Sequence, residues 1–156
     1  MVQVGDSIPS IELQEKAPGN NVDLSKELAT GSGIVIGVPA AFSPTCSDTH
    51  IPGYIVSPKL KDAGKVFVVS VNDPFVMNAW SKSLSTQFGE SSIRFLADPA
   101  GAFTRALDLE FPAAAMLGTN RSKRYAMVVK DGKVEKIEVE AVPSDAKVST
   151  AEAILG

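Results

Sequence analysis

The chain contains one cysteine, Cys46, in a stretch whose composition favours a reactive thiol. The short apolar run Ile34–Val38 predicts a buried strand, and Pro44 is a typical first residue of a helix. Cys46 would then lie in the first helical turn, where unpaired backbone N–H groups and the positive end of the helix dipole favour the thiolate. Because the thiolate is the reactive form of cysteine, this spacing makes Cys46 a candidate nucleophile.

A single cysteine also has a purely structural interpretation. Free cysteines are among the most buried residue types and often pack as small apolar side chains. One cysteine excludes a disulfide within the chain and the usual multi-cysteine zinc sites, so no metal site is expected. The residues around Cys46 must therefore decide between a structural and a chemical role.

His50, the only histidine, lies four residues after Cys46, so a helix would place both side chains on one face. A cysteine and a histidine in contact can serve as the nucleophile and the base of a hydrolase. The sequence offers no clear third residue that would orient the histidine. A cysteine hydrolase is one alternative at this point.

Short apolar runs alternate with helix signals along the rest of the chain. Asn72–Pro74 supplies a cap and a first-turn proline for a helix through about Ser83, and Asp131-Gly132 is a hairpin signal. Ser149–Glu152 has the spacing of a capping box and starts a final helix. The other expected elements are a turn at Ala17–Asn21, strands at Ile34–Val38, Val66–Val71, Phe95–Ala97, Tyr125–Val129 and Lys133–Val139, and a helix at Ala100–Leu107.

This order of elements predicts an α/β fold in which helices flank a mixed central β-sheet. A length of 156 residues suits one domain with a sizeable core. Neither a repeat nor a long linker interrupts the pattern. We therefore expect residues 1–156 to form a single domain.

Composition limits the classes of function. Hydrophobic residues make up 44% of the chain and charged residues 21%, which is typical of a globular protein. The formal net charge of -3 predicts no bulk attraction to nucleic acid or to anionic lipid. No apolar run approaches the roughly 18–20 residues that span a bilayer, and neither terminus carries a secretory or peroxisomal signal. A cytoplasmic location is expected, although removal of a targeting segment would leave the same sequence.

The segment before the cysteine resembles a known family. Pro39, Ser43 and Cys46 match the peroxiredoxin pattern of proline, three residues, threonine or serine, two residues and cysteine. Blocks similar to the type-II, or peroxiredoxin-5-like, group follow in order: Thr45–Ser47 with His50, Pro52 and Gly53; Ser70–Met77 with Ala79 and Trp80; and Arg124–Val129. The resemblance implies a thioredoxin-like fold, a homodimer, and reduction of hydrogen peroxide and alkyl hydroperoxides without a cofactor.

The resemblance also implies a role for each matching residue. Cys46 matches the peroxidatic cysteine, whose sulfur attacks a peroxide oxygen and becomes a sulfenic acid. Ser43 matches a hydroxyl, more often threonine in the family, that hydrogen-bonds the peroxide, and Pro39 matches a proline that shields the thiolate from water. Arg124 matches an arginine that stabilises the thiolate and the charge moving onto the peroxide oxygens. The other expected pocket or support residues are Pro44, Thr45 and His50.

Four neighbours of these motifs receive no chemical role. Arg121 and Lys123 are expected to be solvated charges beside Arg124. Met77 and Trp80 are expected to pack in the apolar core.

The chain differs from many relatives in lacking a second, resolving cysteine. Plant members often carry one where this chain has Val68, and animal members carry one where it has Val148 or Ser149. The sequence therefore resembles a one-cysteine enzyme, whether natural or altered, and an external thiol must reduce its sulfenic acid. The expected donors are glutaredoxin with glutathione, or thioredoxin.

A second function shares the first chemical step. A peroxide sensor or redox-relay protein would also oxidise Cys46 but would then form a mixed disulfide with a partner. Turnover with added reductant separates this alternative from a peroxidase.

Overall fold

A seven-stranded sheet lies at the centre of the computed structural model, which describes residues 1–156. In chain order the strands are β1 (Glu12–Gln14), β2 (Asn21–Asp23), β3 (Ser32–Val38), β4 (Lys65–Ser70), β5 (Arg94–Ala97), β6 (Glu110–Phe111), β7 (Arg121–Ser122), β8 (Tyr125–Lys130) and β9 (Lys133–Val139). The α-helices are α1 (Leu24–Glu27), α2 (Ile51–Ile55), α3 (Pro74–Phe88), α4 (Ala102–Ala106), α5 (Ala114–Leu117) and α6 (Ala151–Leu155). A π-helix at Cys46–His50 precedes α2, and a 3₁₀ turn at Leu60–Asp62 follows it.

The sheet has the order β2-β1-β5-β4-β3-β8-β9, with β6 and β7 paired separately. β3, β4 and β5 run parallel, whereas β8 is antiparallel to both β3 and β9. Parallel and antiparallel pairs in one sheet confirm the predicted mixed α/β architecture. The central position of β3 explains why its sequence is apolar without alternation, since both of its faces are covered.

Two apolar clusters, each of 16 buried residues, cover the two faces of the sheet. Successive residues of β3 enter different clusters: Val35 lies in the first, while Ile34 and Ile36 lie in the second. This is the side-chain alternation of a strand. The second cluster also contains Cys46, so the thiol lies within the core on one face of the sheet.

The carboxyl end of β3 lies very close to the amino end of β8. Gly37 is paired with Tyr125, and a side chain at position 37 would collide with the Tyr125 ring. Glycine is therefore required at this point of the strand. The close pairing brings the residues after β3 and those just before β8 to one edge of the sheet.

Most of the predicted elements are confirmed, with shifted ends. The Asp73 side chain accepts a hydrogen bond from the Val76 N–H at 2.9 Å and caps α3, which continues to Phe88 instead of ending near Ser83. Asp131 and Gly132 both adopt positive φ, 48° and 79°, as a tight hairpin turn requires.

Two predicted boundaries are wrong. Thr150, and not Ser149, caps α6 by accepting from the Ala153 N–H, because the Ser149 hydroxyl is bound elsewhere. Asn21 begins β2 instead of ending the turn before it. Six short elements, β1, β2, β6, β7, α1 and α5, were not predicted, since two to four residues carry too little periodicity.

Candidate active site

The segment between β3 and the cysteine makes a tight, hydrogen-bonded turn. Phe42 adopts a positive φ of 65°, which reverses the chain direction before the helix. The Ala41 N–H donates to Asn72 Oδ1 at 3.1 Å, and the Ser43 hydroxyl donates to the Ala40 carbonyl at 2.8 Å. These bonds fix where the following helix begins.

The helical turn that carries the thiol is wider than an α-helix. Pro44 begins the helical segment as predicted, but Cys46–His50 forms a π-helix, in which the Ile51 N–H donates to the Cys46 carbonyl. Such i→i+5 turns are rare and frequently occur at functional sites. The Cys46 side chain is fully buried, and His50 is 1% exposed.

Arg124 contacts both Cys46 and His50. Its Nη2 donates to Cys46 Sγ at 3.1 Å, and its Nη1 donates to His50 Nδ1 at 2.8 Å. Its Nε donates to the Pro143 carbonyl at 3.0 Å. The three contacts hold the guanidinium plane with one edge directed at the sulfur.

The charge of Arg124 has no carboxylate partner. Its side chain is 1% exposed, and none of the six ion pairs in the structure includes it. A buried cation is costly unless an anion or several hydrogen bonds compensate it. Among the groups that Arg124 contacts, only the Cys46 sulfur can become an anion.

His50 is a hydrogen-bonding support and is not arranged as a base. Because guanidinium can only donate, His50 Nδ1 must be the acceptor, and Nε2 then donates to the Ser149 carbonyl at 3.0 Å. Burial, together with the charge of Arg124, lowers the pKa of His50 to about 4, so the ring is neutral near pH 7. With both ring nitrogens occupied, His50 cannot accept the thiol proton as a hydrolase mechanism requires.

A cavity of about 370 Å³ opens at this edge of the sheet. Five of the predicted site residues line it: Pro39, Ser43, Pro44, Thr45 and Arg124. Cys46 and His50, which are bonded to Arg124, lie buried behind this wall. The structure thus brings all seven predicted site residues to one place.

Sequence reasoning missed two residues near the site, Ser149 and Glu140. Ser149 accepts at its carbonyl from His50 and also from the Tyr54 hydroxyl, the latter at 2.6 Å. Burial by itself would raise the pKa of Glu140, but hydrogen bonds from Ser149 and from the N–H groups of Lys147 and Val148 lower it below its ordinary value. No spacing in the sequence signals such contacts.

Two other expectations can be compared with the contacts. Trp80 and Met77 are fully buried in the core, as predicted, and Trp80 Nε1 also donates to Ser47 Oγ at 3.0 Å. The prediction that Arg121 is a solvated charge is wrong. Its guanidinium is half-buried and donates to the carbonyls of Val71 and Leu117, because the β7 strand carries it against the end of β4.

Comparisons with known proteins match the sequence to one family. The profile described as Redoxin covers residues 3–155. The chain is 43% identical over 159 residues to peroxisomal membrane associated protein 20 of Schizosaccharomyces pombe, covering 99% of this chain and 98% of that protein. It is 40% identical over 165 residues to mitochondrial peroxiredoxin-2F of Arabidopsis thaliana, covering 98% of this chain and 80% of that protein.

Solved structures agree with the sequence matches. Reduced Prx3 from Vibrio vulnificus in complex with hydrogen peroxide superposes with a TM-score of 0.88 at 37% identity, covering 99% of this chain and 98% of that chain. Peroxiredoxin 5 from Alvinella pompejana superposes with a TM-score of 0.87 at 36% identity, covering 99% and 96% of the two chains. The fold is therefore thioredoxin-like, and the class of protein is the thiol peroxidases.

The chain belongs to the Redoxin family, as a type-II, peroxiredoxin-5-like peroxiredoxin with one cysteine. Its activity is the thiol-dependent reduction of hydroperoxides.

Removing the guanidinium tests the contact with sulfur. We expect Arg124→Gln to slow oxidation of Cys46 by hydrogen peroxide by about 10²–10³-fold, the usual cost of losing one charge-stabilising donor. Stopped-flow kinetics with equimolar peroxide measures this step. Arg105→Gln, which removes an exposed arginine paired with Glu110, is the matched control and should react at the wild-type rate. A near-normal rate in Arg124→Gln would contradict the assignment.

The pKa of His50 predicts how stability changes with pH. Because this pKa is about 4 when folded and 6.5 ordinarily, protons favour the unfolded chain, so the contribution is complete above pH 6.5 and is lost as pH falls towards 4. We expect wild type to lose about 2 kcal/mol more than His50→Gln between pH 7 and pH 4.5. Glutamine keeps one acceptor and one donor but does not titrate. Urea unfolding at both pH values measures the difference; equal losses would show that His50 is not held neutral.

Proposed function

We propose that Cys46 is the peroxidatic residue and that Arg124 orients and stabilises the reacting atoms. The observation that carries the proposal is the 3.1 Å contact between Arg124 Nη2 and Cys46 Sγ at the back of the cavity. The thiolate attacks the distal peroxide oxygen, forming an S–O bond as the O–O bond breaks. The remaining hydroxide or alkoxide takes a proton from solvent and leaves as water or alcohol, and Cys46 becomes a sulfenic acid.

The remaining predicted residues shape the approach of the peroxide. Pro39 is buried at the cavity wall, where it keeps water from the sulfur. The Ser43 hydroxyl donates to the Ala40 carbonyl, and its oxygen remains free to accept a hydrogen bond from the peroxide O–H. Thr45 Oγ1 donates to the Ser144 carbonyl at 3.0 Å and ties the two walls of the cavity together.

We further propose that an external thiol completes the cycle. Cys46 is the only cysteine, so its sulfenic acid has no partner within the chain. The sulfur is fully buried, so a thiol donor reaches it only when the turn that carries it opens. Glutathione with glutaredoxin, or thioredoxin, supplies the two electrons, with a mixed disulfide at Cys46 as the intermediate.

Intact-mass spectrometry under non-reducing conditions tests this cycle. Stoichiometric peroxide with excess glutathione should give one glutathione adduct, at Cys46, which glutaredoxin then removes. Peroxide alone should instead add oxygen atoms stepwise to the same residue. Cys46→Ser should show neither product. A dominant disulfide-linked dimer of two chains, without a glutathione adduct, would contradict the proposal.

We also propose a homodimer, as the family resemblance implies. Exposed apolar side chains at the cavity mouth support it: Met116 is 81% exposed and Val142 is 48% exposed. Sedimentation velocity should give twice the monomer mass for wild type, and Met116→Glu should shift the protein towards monomer. Val4→Glu, at a side chain that is 65% exposed and away from the cavity, is the control and should not. A wild-type monomer at micromolar concentration would contradict a dimer.

The compartment is a separate question from the chemistry. The names of three relatives refer to the peroxisomal membrane or to mitochondria, so the comparisons give no support to the expected cytoplasmic location. No helix in this chain has both the length and the apolar composition to cross a membrane. The cytoplasmic location stays a prediction.

A further inference from the structure

We propose that Glu140 is a positioning residue for peroxide reduction and orients Arg124 and His50 through the loop that follows β9. The loop is defined here as residues 141–149. This inference rests on the proposed role of Arg124 at the sulfur. Glu140 itself contacts neither the sulfur nor the cavity.

Glu140 is hydrogen-bonded both to Arg124 and to the far end of the loop. Its backbone N–H donates to the Arg124 carbonyl at 2.9 Å, which extends the β8–β9 pairing by one residue. Its Oε2 accepts four hydrogen bonds from the far end of the loop: the N–H groups of Lys147, Val148 and Ser149 at 2.8, 2.9 and 2.8 Å, and the Ser149 hydroxyl at 2.6 Å. One residue therefore fixes the loop relative to the arginine.

The loop returns two carbonyls to the active site. The Pro143 carbonyl accepts from Arg124 Nε, and the Ser149 carbonyl accepts from His50 Nε2 and from the Tyr54 hydroxyl. Both backbone groups of Ser149 are thus hydrogen-bonded. Its N–H donates to Glu140, and its carbonyl accepts from the ring of His50. That carbonyl selects the tautomer that leaves His50 Nδ1 free to accept from Arg124.

A carboxylate suits this position for a physical reason. Glu140 is 4% exposed, and three successive backbone N–H groups converge on one of its oxygens. Charged acceptors make shorter and stronger hydrogen bonds than neutral ones. An amide in its place is a weaker acceptor, and its NH₂ group could face the same donors. The loop would then lose its fixed position, and both carbonyls would move with it.

The oxidation rate is the first test. We expect Glu140→Gln to slow oxidation of Cys46 by hydrogen peroxide by about 10–100-fold, since a misplacement of about 1 Å in a reacting arrangement has an effect of this size. Ser149→Ala removes the hydroxyl donor alone and should give a smaller loss in the same direction. The matched control is Glu135→Gln, an exposed glutamate on β9 that makes the same charge change. It should keep the wild-type rate.

The ring of His50 provides a second measurement that a merely structural role would leave unchanged. Because the chain has one histidine, ¹⁵N-histidine labelling gives a single set of ring signals. Wild type and Glu135→Gln should show the tautomer protonated at Nε2. Glu140→Gln should show a mixture of tautomers, and thermal unfolding confirms that the variant is folded.

The outcomes separate this inference from the proposed function. If folded Glu140→Gln shows a normal rate of Cys46 oxidation and an unchanged His50 signal, the positioning role is overturned. Slow oxidation of Cys46 in Arg124→Gln would still support the proposed function in that case. Normal oxidation in Arg124→Gln would overturn the proposed function first. If Glu140→Gln does not fold, Ser149→Ala decides: a slower rate with an altered His50 signal supports the inference, and wild-type behaviour overturns it.

Discussion

Arg124 is a buried cation whose contacts are a carbonyl, a neutral imidazole and a sulfur atom, and no carboxylate lies close enough to form an ion pair with it. Desolvating a guanidinium costs several kcal/mol unless its surroundings compensate the charge. Hydrogen bonds supply part of that compensation, and Cys46 is the one group in contact with Arg124 that could carry a negative charge. The neutral state of His50 follows from the same charge balance. A protonated His50 would be a second buried cation beside Arg124, and its charge would also need compensation.

The topology of the sheet brings these groups together from distant parts of the chain. Cys46 and Arg124 are 78 residues apart in sequence, yet one follows β3 and the other precedes the neighbouring, antiparallel β8. Ends of adjacent antiparallel strands meet at one edge, so strand pairing brings the start of β8 next to the turn that leads from β3 to Cys46. Gly37 allows that pairing to be close, since it leaves room for the Tyr125 ring. The pairing of β3 with β8 in the sheet therefore determines where the site lies.

The sequence predicted the elements that have strong local signals and the residues that belong to a motif. Cys46, Ser43 and Pro39 could be found because they are close in sequence, and Arg124 because the residues after it fix its register. The π-helix could not be predicted, since no residue pattern distinguishes it from an α-helix. Nor could Glu140 and Ser149, because the Glu140 carboxylate binds backbone N–H groups and Ser149 accepts at its backbone carbonyl, and every position of a chain offers such groups. Ser149 even gave a misleading signal, as its hydroxyl suits a helix cap but is bound by Glu140.

The hydrogen bond between Trp80 and Ser47 has a practical consequence. Trp80 is the only tryptophan, and its indole N–H is bonded to Ser47, the residue directly after Cys46. Indole emission depends on the polarity and hydrogen bonding around the ring. Any rearrangement of the π-helical turn during the catalytic cycle changes that environment. Trp80 is thus an intrinsic fluorophore bonded to the turn that carries Cys46, and we expect its emission to report a rearrangement of that turn without a label.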